Sequence, residues 1–99
     1  MESHEISLRL VNAVTTYDRK QSTKKYYNVY ALAQYLKRVG EIVADIERGA
    51  DVRKAVVTGF SGRIADACLK ALQLPKSTRD EALGGMVYQP VMPAPDDEE

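Results

Sequence analysis

Apolar residues recur every three or four positions along most of this chain, the spacing that places side chains on one face of an α-helix. The pattern is clearest between residues 29 and 48. Val29, Leu32, Leu36, Val39, Val43 and Ile46 advance by alternating threes and fours, which makes a heptad seam. Tyr35 and Ile42 flank it. Asn28 is the expected N-cap and Gly49 the expected C-terminal stop. Lys37 and Glu41 fall at i,i+4 on the polar face, a spacing that favours an ion pair.

The segment before it reads two ways. Ile6, Leu8 and Leu10 alternate as in a strand, whereas Ile6, Leu10, Val14 and Tyr17 repeat as in a helix. The helical series is longer, so a helix is expected from about Glu5 to Arg19, with Ser3 as its cap. Asp51 can cap a short helix ending at Gly59, and Ser61 a further one stopped before Pro75. In the latter, Ile64, Cys68 and Leu72 share a face, and Asp66 and Lys70 are expected to pair on the other. Thr78 and Glu81 match a capping box for one or two turns more. The expectation is therefore a small all-α bundle of about four helices over residues 1–83, with one long central helix. Residues 84–99, "GGMVYQPVMPAPDDEE", combine proline, glycine and acidic side chains and are expected to be a flexible tail.

Composition narrows the chemistry. A single cysteine, Cys68, allows no internal disulfide, which suits a reducing, cytoplasmic setting. No apolar run is long enough to span a membrane. The net charge is zero, but the last four residues are all acidic; residues 1–95 carry fourteen basic against ten acidic side chains, a net charge of +4. One histidine, His4, and one cysteine cannot make a zinc site, and neither a positioned base for a nucleophile nor a phosphate-binding loop is present. Glu41 and Asp45 share a helix face, but exposed carboxylates at that spacing are ordinarily a solvated surface. No metal or cofactor is expected, and no catalysis.

Binding is the remaining class. "YDRKQSTKKYYN", residues 17–28, gathers Arg19, Lys20, Lys24 and Lys25 beside Tyr26 and Tyr27. These could meet phosphates and an unpaired base, or a protein, together with Lys37 and Arg38 on the adjoining helix. A helix-turn-helix outline over residues 50–72 would offer Arg63 on its reading helix. A ribbon-helix-helix would instead need "EISLRL" as a strand. The long seam, through Val29, Leu36 and Val43 or the flanking Tyr35 and Ile42, could also join two copies as a dimer.

The stretches "TTYDRKQSTKKYYNVYALAQYL" and "GRIADACLKALQLPK" together resemble short proteins carried by bacterial plasmids, integrative elements and phages. The resemblance implies a cofactor-free protein that binds a host defence complex as inhibitor or adaptor, in the manner of an anti-CRISPR or anti-restriction protein. The alternative is a DNA-binding transcriptional regulator of the element's own genes. The expected partners are a host protein complex or a second copy, with nucleic acid as the alternative and no membrane.

Overall fold

Leu8 decides between strand and helix at the N-terminus. It is 52% exposed, while Ile6, Leu10 and Val14 are buried, so the burial period is four and not two. The computed structural model describes residues 2–84; the expected tail, apart from Gly84, lies outside the described residues. These residues form five helices and no strand: α1 (Ser3–Gln21), α2 (Ala31–Glu47), α3 (Val52–Gly59), α4 (Gly62–Ala71) and α5 (Lys76–Gly84). The strand that a ribbon-helix-helix would need is helix α1.

The all-α class holds, but one long central helix does not describe it. α1, at 19 residues, is longer than α2, at 17, and it is α3 and α4 that each pack against three others, α3 against α2, α4 and α5, and α4 against α1, α3 and α5. α1 and α2 run antiparallel. The Ser3 hydroxyl at the start of α1 donates to Glu47 Oε2 at the end of α2 (2.9 Å), and Tyr17 and Tyr35 meet near the opposite ends.

Several end signals act differently from expectation. Ser3 lies inside the first turn of α1, with Glu2 as the cap residue. Asn28 stands three residues ahead of α2 and builds a turn instead: its side-chain oxygen accepts from the Tyr30 N–H and its carbonyl from the Ala31 N–H. Ser61 precedes α4 without a side-chain cap bond. Thr78 is already inside α5, whose Arg79 N–H bonds back to the Pro75 carbonyl. Asp51 does cap α3, accepting from the Lys54 N–H at 3.1 Å. That bond holds its carboxyl below the usual range, with Arg53 adding to the effect. Gly49, at φ 105°, closes α2 as expected; the Ala50 N–H reaches the Asp45 carbonyl and the Gly49 N–H that of Ile46, a Schellman pattern. α4 ends the same way around Gln73 at φ 65°, a left-handed conformation that an L-residue adopts only at a cost of about 1–2 kcal/mol.

The core joins Ile6, Leu10 and Val14 of α1 to Val39 and Ile42 of α2, Val56 of α3, Phe60, and the α4 face of Ile64, Ala65, Cys68 and Leu69. Gly59 permits a close approach of α3 to α2: a Cβ there would stand 2.7 Å from Ile42 Cδ1 and 2.8 Å from its Cγ1. The α4 and α5 ends are tied by arginines. Arg9 bonds Glu5 and the Ala71 carbonyl, and Arg79 bonds Asp66 and the Leu74 carbonyl. Two expected pairs are therefore replaced, since Asp66 takes Arg79 in place of Lys70, and Glu41 takes Arg38 at 3.0 Å in place of Lys37. Among the described residues, no helix is long and apolar enough to cross a membrane.

Candidate functional site

The end of α1 and the start of α2 form a corner built around one carboxylate. Asp18 continues the Ile6, Leu10, Val14 series by another step of four, so α1 carries it onto the core face, where it is 7% exposed. A buried carboxylate needs hydrogen bonds. Tyr27 supplies one, its hydroxyl lying 2.8 and 2.7 Å from the two Asp18 oxygens. The hydrogen bond to Asp18 is the main reason the Tyr27 phenol is held above its ordinary pKa. The clamp fixes the loop to α1. Ser22 and Thr23 hydroxyls donate to the Arg19 and Lys20 carbonyls, and the Tyr27 N–H to the Lys24 carbonyl. The first two satisfy carbonyls that the end of α1 leaves free, and the third closes a turn in the loop.

Beside the clamp runs an aromatic series. Tyr17 and Tyr35 meet edge to face with centroids 6.1 Å apart, and Tyr35 meets Phe60 at the same distance, within the range of favourable aromatic pairs. Burial is the chief cause of the raised pKa of Tyr35. Tyr17, Lys24, Lys25, Tyr26, Tyr27 and Tyr35 are among the residues that line an open cleft of about 450 Å³.

The corner is cationic. Residues 17–38 contain six basic side chains and one acidic one, Asp18, which is already committed to Tyr27. Arg19, Lys20, Lys25 and Lys37 are exposed, and no carboxylate pairs with them among the described residues. Lys25 Nζ stands 5.5 Å from the Tyr26 ring centroid, a cation–π distance. Lys24 is half-buried in the cleft wall, and Arg38 bonds Glu41. Arg19, Lys20, Lys24, Lys25, Tyr26 and Tyr27 thus occupy one corner, with Lys37 and Arg38 farther along α2.

The α2 seam divides into two stripes. Leu32, Tyr35, Val39, Ile42 and Ile46 pack inward, so Tyr35 and Ile42 belong to the monomer's own core. Leu36 (40% exposed) does not, nor does Val29 (69%), which precedes α2, and Val43 is half-buried against the core. Tyr26 (88%) and Tyr30 (72%) extend the exposed stripe toward the cleft. Sequence reasoning passed over Asp18, Tyr17 and Tyr30 as site residues. The signal for Asp18 was a lone carboxylate on an otherwise apolar stripe.

Arg63 stands in the first turn of α4, half-buried. Lys70 is the one exposed residue of α4. Cys68 is completely buried and its thiol is pushed up to about 12 by burial, so it remains a thiol near neutrality. His4 is exposed. Comparison with family models, curated proteins and solved structures finds no match for this chain.

Proposed function

We propose that this chain is a non-catalytic binding protein that acts by docking its α1–α2 corner on another protein. In keeping with its resemblance to products of mobile elements, the partner would belong to a host defence complex that the chain inhibits or adapts. One observation carries the reading: Tyr26, Val29, Tyr30 and Leu36, all exposed, adjoin cations that pair with no described carboxylate. Aromatic residues and arginine are the side chains that protein interfaces favour at their centres, and the surrounding rim is polar, where lysines can sit.

The cationic excess also favours a second reading, a DNA-binding regulator. A reading helix must offer a face to the major groove, and the enclosure of α4 argues against Arg63 in that role. Any phosphate contact would fall to the corner.

Binding to duplex DNA across a salt series, beside capture of protein from a bacterial lysate, separates the two. The protein reading predicts a stoichiometric partner held by the native chain and lost on Tyr26→Ala with Tyr30→Ala, and retained by Lys70→Ala. Salt-dependent DNA binding whose slope flattens on Lys24→Ala with Lys25→Ala, without a protein partner, would replace it with the regulator reading.

A further inference from the structure

The corner cleft has walls suited to a particular kind of peptide, and this chain contains one. Tyr17, Tyr26, Tyr27 and Tyr35 line the cleft, and aromatic-lined grooves take Pro-x-x-Pro segments in an extended helix. Residues 90–93 read "PVMP", and a polyproline helix with three residues per turn puts Pro90 and Pro93 on one face. Three residues on, Asp96, Asp97, Glu98 and Glu99 supply four negative charges. The cleft's surroundings supply the opposite sign: Lys24 and Lys25 line it, and Arg19 and Lys20 stand in the last turn of α1. Without those four acids the chain is basic, so the charge that they would meet is its own.

Pro90 lies six positions beyond Gly84, the end of α5, and an extended chain covers about 20 Å in that span. Twelve residues bring Asp96 about 40 Å from the same point, as far as the longest dimension of the fold, 38 Å. Tethering also raises the local concentration of such a segment to the order of millimolar, so weak contacts are enough to fill the cleft.

We propose that residues 89–99 of this chain dock in its own tyrosine cleft, Pro90 and Pro93 against the rings and Asp96–Glu99 on the surrounding cations, and so compete with any partner for the corner. The competition clause rests on the proposed partner surface; the docking itself does not.

The test uses the full chain carrying Gln89→Cys with a spin label. Cys68 is fully buried with its pKa near 12, so the label attaches at position 89. Docking predicts selective loss of the Lys24, Lys25, Tyr26 and Tyr27 amide signals in heteronuclear NMR. The signals return in high salt, which screens the charges, and in the variant with Asp96→Asn, Asp97→Asn, Glu98→Gln and Glu99→Gln. Signals at residues 24–27 that stay unbroadened in low salt would overturn the proposal. So would broadening of an isotope-labelled chain by a separate spin-labelled chain, which would place the segment on a second copy. No partner is in the tube, so failure of the partner reading leaves this result standing.

Discussion

From α3 to α5 arginines are tied into the fold, whereas at the α1–α2 corner most of the cations stand apart from it. Arg79, 15% exposed at its side chain, bonds both Asp66 and the Leu74 carbonyl. Lys76 pairs with Asp80 and Arg53 with Asp51. At the corner the one carboxylate, Asp18, is taken by a tyrosine, and Arg19, Lys20, Lys25 and Lys37 face water. Both regions have six basic residues, at 51–81 and at 17–38, but the first also has four acidic residues and the second only one. The difference teaches that the number of cations does not set a surface's character; the supply of nearby carboxylates does.

Substitutions sharpen that contrast. The largest effect is expected in the enclosed region. Leu69 is fully buried on α4, and Leu69→Ala should cost about 2–5 kcal/mol, read as a fall in urea midpoint. Gly59→Ala comes next. Its Cβ would collide with two atoms of Ile42, itself a buried core residue, so overpacking should cost about 1–3 kcal/mol. An unchanged midpoint would mean that α2 and α3 are not held as close as the structure has them.

These two positions also show what the sequence can and cannot convey. The apolar period identified α1, α2 and α4 because burial on a helix face needs only local spacing. It could not assign Gly59 to a close helix contact, since the partner atom lies 17 residues away, at Ile42. The expected seam could not be divided for a related reason. Val29, Leu36 and Val43 keep heptad spacing, yet Val43 packs against the core while Val29 and Leu36 stay exposed, and spacing alone does not tell which positions receive a neighbour. Side-chain pairing was least legible: Asp66 had Lys70 four residues away but bonds Arg79 across a turn. The corner's residues were legible from composition, and the Asp18 clamp that organises them was not.

Smaller effects probe the ends and the clamp. Asp51→Ala removes the α3 cap and should cost about 1 kcal/mol. Because the folded state lowers the Asp51 pKa, that contribution is complete above the ordinary carboxyl range and fades as pH falls through it. A stability–pH profile should therefore lose part of its acid limb in the variant. Tyr27 behaves in the opposite sense. Its pKa is raised on folding, so its contribution is whole below the ordinary tyrosine pKa and is lost as pH climbs through the folded value. Tyr27→Phe should flatten the alkaline limb of the same profile, and an unaltered limb would mean that the Asp18 bond is not formed in solution.

The smallest effect belongs to the corner surface, and it tests the central claim, that this surface is presented outward and is not part of what holds the fold. Urea unfolding of the triple variant Lys25→Ala, Tyr26→Ala, Lys37→Ala, measured beside the native chain, should give the same stability to within about 0.5 kcal/mol. A loss as large as that expected of Gly59→Ala would contradict the account and make the corner a structural element of the fold.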